Sequence, residues 1–235
     1  MRILFVHGLG GEDGGRMEAA IIQSASRMNH SILPFRWESG NLGDMIKASS
    51  WKIGERILTD RNPWRRAVHI LLLLQKHRRK YWNDALANMT GASLAAAAIL
   101  MKLARTEEPF AAVGFSLGGR VLLSALCAAL RDLRRLNRAV FAGAAISSPA
   151  FSAIPPALLK SRRIVNVYSG YDDVLERLYP GAHGCDDAAG VAPVRRAGIK
   201  NVRVNTGHLS YPNLATKLVR LATETELLGS RTRSA

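Results

Sequence analysis

Cysteine is nearly absent from this chain of 235 residues: Cys127 and Cys185 are the only two. A pair so far apart builds neither a disulfide framework nor a Cys-rich metal cluster, and it suits a reducing compartment. Acidic residues are also scarce, 18 against 33 Lys and Arg, which leaves a formal net charge of +15. A field of that sign draws anionic partners, phospholipid headgroups or nucleic acid among them, and says nothing about the fold. Long apolar runs are missing too. Uninterrupted ones such as Ile70 to Leu74 and Leu94 to Met101 fall short of the roughly 20 residues a spanning helix needs, so no transmembrane segment is expected. The opening Met1-Arg2-Ile3-Leu4-Phe5-Val6-His7 is too short for a signal-peptide core, and a cytoplasmic protein is expected. No G-x-x-x-x-G-K-S/T and no G-x-G-x-x-G follows the early glycines, which argues against nucleotide binding.

What is present is a globular composition, 48% hydrophobic, in a length that suits one elaborated domain over residues 1–235. Ile3 to Val6 reads as a buried strand running into the glycines at 8, 10 and 11, and Arg16 to Met28 carries helix-period apolar positions. Ser31 to Trp37 suits a second strand, at an edge or a bulge because of Pro34. From Asp44 the chain turns basic and Trp-bearing, which marks residues 44–90 as a helical cap inserted in the domain. Asn83 to Ala104 favours helix, and Pro109 stops it before an apolar strand from Phe110 to Gly114. Helical spacing from Leu117 to Leu133 follows, then strands at Ala139 to Ile146, Arg163 to Tyr168 and Asn201 to Val204, and a last amphipathic helix opened by Ser210-Tyr211-Pro212. Strand and helix in alternation predict a mostly parallel sheet covered on both faces.

Gly114-Phe115-Ser116-Leu117-Gly118 sits between a predicted strand and a predicted helix. The pentapeptide alone is a weak signal. Its setting is what acyl transfer requires, a strained strand-to-helix turn that lifts a serine hydroxyl out of the sheet, with small neighbours so that the turn can form. The hydroxyl needs a base. His208, in Thr206-Gly207-His208-Leu209 between the last strand and the last helix, is the favoured candidate over His183, which lies in a turn-like segment with no strand leading into it. For the carboxylate that orients the imidazole, Tyr168-Ser169-Gly170-Tyr171-Asp172-Asp173-Val174-Leu175 offers two aspartates after a strand. Asp172 is the better fit and Asp173 the alternative acid. Two N–H donors for an oxyanion are expected from Leu117, the residue after the serine, and from Leu9 in His7-Gly8-Leu9-Gly10-Gly11.

In these segments, and in their order, the chain resembles the α/β-hydrolase superfamily, above all its lipase, esterase and thioesterase branches. The resemblance implies Ser116 as nucleophile, Asp172 as acid, His208 as base, and Leu9 and Leu117 as oxyanion donors, with no cofactor and no metal. A second similarity, carried by Arg36-Trp37-Glu38-Ser39, Asn166-Val167-Tyr168-Ser169 and Gly207-His208-Leu209-Ser210-Tyr211, is to a group of poorly characterised hydrolase-like proteins, some membrane-associated. Full-size hydrolases have strands before the oxyanion strand, with which this chain almost begins, so the expected sheet is shortened to about six or seven strands, with helices on both faces.

Between Lys52 and Lys80 there are nine Lys or Arg against two acids, interleaved with Trp64 and the run Ile70 to Leu74. That mixture suits an amphipathic element on an anionic membrane, and equally a solvated cap packed on the sheet. Nucleic acid is a weaker fit, because no recognised nucleic-acid module accompanies the charge. The expectation is a serine hydrolase of carboxylic, lipid-like acyl esters with peripheral membrane contact. A thioesterase or acyltransferase on the same residues, or a non-catalytic hydrolase-fold protein that binds a membrane or partner, remains open.

Overall fold

In the computed structural model the described residues are 1–8, 15–39, 85–129, 133–183 and 188–224. Among them six strands form one sheet: β1 (Arg2–Val6), β2 (Ser31–Phe35), β3 (Phe110–Phe115), β4 (Leu136–Ala142), β5 (Ile164–Tyr168) and β6 (Ile199–Arg203). The helices are α1 (Arg16–Arg27), α2 (Ala85–Ala104), α3 (Leu117–Ala128), α4 (Pro156–Lys160), α5 (Asp173–His183) and α6 (Ala215–Thr223). Short 3-10 turns cover Ser148–Ala153 and His208–Leu214.

The strand order is β2-β1-β3-β4-β5-β6, and every pairing is parallel. A parallel sheet needs helices on both faces, because each crossover returns the chain over one of them. The strands alternate accordingly. Ile3, Phe5, Ala111, Val113, Val140, Ala142, Val165 and Val167 join the core under α1 and α6. Leu4, Val6, Ala112, Ala139, Phe141 and Ile164 join the larger core that includes residues of α2, α3 and α4. Pro34 stands in β2, an edge strand, where a missing N–H costs no pairing on the open side.

Several boundaries differ from the sequence reading. β4 begins at Leu136 and stops at Ala142, earlier than expected, because Gly143 turns the chain at φ +49. Ala144 to Ile146 then leave the sheet and bond to Ser116, Ala189 and Gly190. α3 closes at Ala128 rather than reaching Leu133. His183 ends helix α5, where a turn was expected. The cap expected at 44–90 lies outside the described residues except for 85–90, which form the first turns of α2. That helix also corrects the reading of the apolar runs. Its 20 residues are long and apolar enough to cross a membrane by length and composition, which uninterrupted runs concealed because Asn88, Thr90 and Ser93 interrupt them.

The order reverses between β1 and β3: the chain builds outward to β2 from one and to β4 from the other. Ligands of open parallel sheets settle at such a switch point, over the carboxyl ends of the strands. Ser116 follows β3 at that position.

Candidate active site

Ser116 is held in the left-handed region, φ 55 and ψ −124, a conformation that costs a residue with a Cβ about 1–3 kcal/mol. Its backbone is over-determined by its neighbours. The Ser116 N–H donates to Ala142 O at 3.1 Å, and its carbonyl accepts from Gly119 N at 3.1 Å and Ala145 N at 3.0 Å. The turn also needs space. A Cβ on Gly118 would collide with the carbonyl oxygens of Val6 and His7, and one on Gly114 would come within 2.8 Å of Gly119 Cα. The two flanking glycines therefore let α3 start directly against β1 and β3.

The structure brings Ser116, His208 and Asp172 together from three separate loops. His208 Nε2 lies 3.1 Å from Ser116 Oγ, and His208 Nδ1 lies 2.7 Å from Asp172 Oδ2. All three are buried, Asp172 fully. The carboxylate facing Nδ1 fixes the proton on that nitrogen, which leaves the Nε2 lone pair facing the serine hydroxyl. Asp172 is itself held. It precedes α5, and its Oδ1 accepts the Leu175 N–H at 3.0 Å, so one carboxylate caps the helix and orients the imidazole. Asp173, the other aspartate considered, is the first residue of α5 and exposed, beside the positive helix end. Aromatic rings set the imidazole plane. Phe115 stacks on His208 with centroids 4.9 Å apart, and Tyr211 meets it edge-on at 6.0 Å. Burial, and then the nearby Asp172 charge, push the Tyr211 phenol well above its ordinary range, so this tyrosine stands beside the imidazole as a neutral aromatic wall.

Two further clamps hold the loops, and the sequence reading missed both. Ser169 is fully buried, and its hydroxyl donates to Thr206 O at 2.7 Å while accepting Tyr171 N–H at 3.1 Å and Thr206 N–H at 3.2 Å. Every bond a hydroxyl can make is used to tie the Asp172 loop to the His208 loop. On the other side of the switch point, His7 Nε2 accepts the Trp37 N–H at 3.1 Å, and the Trp37 indole donates to His7 O at 3.0 Å. His7 Nδ1 then carries the proton, donated to Gly8 O at 2.8 Å. Ser169 and Trp37 stand in the segments Asn166-Val167-Tyr168-Ser169 and Arg36-Trp37-Glu38-Ser39, but nothing in their spacing pairs residues 30 or more positions apart.

Leu117 opens α3, where first-turn N–H groups have no acceptor within the helix. Leu9, the other expected donor, lies outside the described residues. Gly8 before it comes close to the serine: a Cβ there would stand 2.6 Å from Ser116 Cβ. Among the described residues, no group of three or more His, Cys, Asp or Glu side chains is placed to hold a metal ion.

A parallel sheet in this order, with a strained serine after the strand at the switch point, defines the α/β-hydrolase fold. The architecture matches that of a hydrolase-like α/β-superfamily protein from Xanthomonas campestris pv. campestris, with a TM-score of 0.50 and 12% identity, over 92% of this chain and 94% of that one. Within that class the particular family is also shown. A model described as a protein of unknown function (DUF726) matches residues 70–223, and the chain belongs to this family. It is 30% identical over 146 residues to an uncharacterized membrane protein of Schizosaccharomyces pombe, covering 59% of this chain and 25% of that protein. It is 28% identical over 144 residues to a transmembrane and coiled-coil domain-containing protein of Oryza sativa subsp. japonica, covering 59% and 22%. The chain thus matches about a quarter of the length of these curated relatives.

Proposed function

We propose that this chain is a serine hydrolase of carboxylic esters, with Ser116 as nucleophile, His208 as general base and Asp172 as the acid that orients it. The observation that carries the reading is the continuous hydrogen-bonded line from Ser116 Oγ through His208 to Asp172, starting from a serine held at a strained φ. A structural serine has no need of such strain.

Ser116 Oγ attacks the ester carbonyl carbon as its proton passes to His208 Nε2, and Asp172 stabilises the imidazolium without taking the proton. The oxygen that gains charge is met by the Leu117 N–H, and by Leu9 N–H as the second donor; one such donor is worth about 10²–10³ in rate. His208 then protonates the departing alcohol, and the acyl group stays on Ser116. Water attacks the acyl carbon, gives its proton to His208, and releases the carboxylic acid and the free serine. A thioester or another acyl acceptor would run through the same steps, so the choice of leaving group rests on the substrate pocket.

Lipid-like acyl esters are the substrate class we favour, with peripheral contact to an anionic membrane. The +15 charge and the naming of the two curated relatives as membrane and transmembrane proteins support that setting. Hydrolysis of p-nitrophenyl esters of increasing chain length, and then of phospholipids, tests it. Turnover that rises with chain length supports the reading, and turnover confined to acetate contradicts the lipid part.

A further inference from the structure

Helix α2 has two apolar faces. Ala85, Ala92, Ala96, Ala97, Leu100 and Leu103 are buried and join the core that contains Leu122 and Leu126 of α3. On the opposite side Ala87, Thr90, Gly91, Leu94, Ala95, Ala98 and Met101 are all exposed. At 100° per residue these seven positions fall within one stripe. Leu94 is 61% exposed and Met101 42%, two turns apart on the same line. No charged residue interrupts the stripe for about 21 Å of helix, in a chain of which 22% is charged. A surface helix with one inner face is expected to be polar outside, and a helix apolar all round is met inside a core or in lipid.

The rim of the stripe points to the occupant. Lys102 and Arg105 stand exposed where the stripe ends, and Glu107 and Glu108 come only after the helix, with Glu108 paired to Arg2 at 3.4 Å. Between Ala85 and Arg105 the chain carries these two cations and no acid, and an apolar face that ends on cations is the pattern of an element lying in the headgroup region of an anionic bilayer. A second protein is a poorer fit. Seven residues, most of them alanine-sized and none aromatic or Arg, fall short of the roughly 20–30 a side, with large anchors, that a stable interface uses.

We propose that the outer face of α2 is a membrane-docking surface that inserts Leu94 and Met101 among the acyl chains of an anionic lipid leaflet, with Lys102 and Arg105 on the headgroups. The helix lies along the surface and does not cross it, since its inner face belongs to the core of the hydrolase fold. This deepens the membrane contact proposed above, assigns it to a specific face, and does not depend on the ester chemistry.

The test is flotation of the full chain with vesicles of phosphatidylcholine plus phosphatidylserine, and with phosphatidylcholine alone, for the parent, Leu94→Glu/Met101→Glu and Lys102→Glu/Arg105→Glu. Circular dichroism checks that each variant is folded. The expected result is recovery of the parent with the anionic vesicles, at least tenfold less of the Leu94→Glu/Met101→Glu variant, and a smaller loss for Lys102→Glu/Arg105→Glu. A parent that floats together with a folded Leu94→Glu/Met101→Glu overturns the α2 surface and leaves membrane contact elsewhere. A parent that does not float overturns both. A parent dimer in solution that Leu94→Glu/Met101→Glu converts to monomer, with flotation unchanged, assigns the face to a second copy and overturns the lipid reading.

Discussion

The two sides of the switch point hold their loops by the same device with different chemistry at stake. On the β5–β6 side one buried hydroxyl, Ser169, ties the loop that carries Asp172 to the loop that carries His208. On the β1–β2 side the His7–Trp37 pair ties the loop that begins at Gly8 to the chain leaving β2. Adjacent parallel strands end side by side, so the loops leaving them can be clamped pairwise by a single buried polar side chain. In the proposed mechanism the first clamp fixes the path of a proton, and the second fixes backbone near the place where negative charge would develop. Damage to the first should lower turnover through the base, and damage to the second through the oxyanion.

The largest effect is expected from the members that move the proton. His208→Ala should lower ester turnover by about 10³–10⁶, and Asp172→Asn by about 10⁴, from the behaviour of triads in general. Asp173→Asn should stay within about twofold, since that exposed carboxylate is not the one that meets the imidazole. Steady-state kinetics on one ester compares all three, and equal losses at Asp172 and Asp173 would remove the distinction between them.

Next comes the β1–β2 side. Gly8→Ala places a methyl 2.6 Å from Ser116 Cβ and 3.2 Å from its Oγ, and turnover should drop by about 10²-fold or more, the scale of one lost oxyanion donor. Circular dichroism should show the fold retained. A variant that keeps full activity would mean that the backbone at residue 8 takes no part.

Ser169→Ala should cost less. It leaves Thr206 O and the Tyr171 and Thr206 N–H groups without their buried partner, a loss of about 1–3 kcal/mol in chemical denaturation. As a positioning residue, Ser169 should act on kcat, by about tenfold, with KM nearly unchanged. Ser169→Thr, which keeps the hydroxyl, should recover most of it. A purely structural serine would lower stability with kcat intact.

The smallest effect is expected from Trp37→Phe, which removes the indole bond to His7 O and keeps the ring and the backbone bond to His7. A few-fold loss of kcat is expected from one net hydrogen bond. A loss as large as that of Gly8→Ala would make Trp37 a direct part of the site.

Much of this arrangement could be read from the residues because it is local. Strand, elbow and helix around Ser116 follow from an apolar run, two glycines and helical spacing within 20 positions, and the order of Asp172 and His208 follows from the loops that end β5 and β6. What could not be read depends on contacts distant in sequence. The sequence favours Asp172 over its neighbour Asp173 without the physical reason, which is that the start of α5 turns one carboxylate inward to Leu175 N and His208 and leaves the other exposed. Ser169 meets Thr206 across 37 positions, and His7 meets Trp37 across 30. The nature of α2 is hidden for another reason: its two faces interleave at helical period, so neither forms an uninterrupted apolar run along the chain.

Fluorophosphonate labelling of the folded chain, with the modified residue located by mass spectrometry, tests directly whether Ser116 is an activated nucleophile. Label is expected on Ser116, none on Ser116→Ala, and labelling at least 100-fold slower for His208→Ala, within the reach of a lost general base. A folded chain that takes no label, or a Ser116→Ala variant that labels as fast as the parent, would contradict that role.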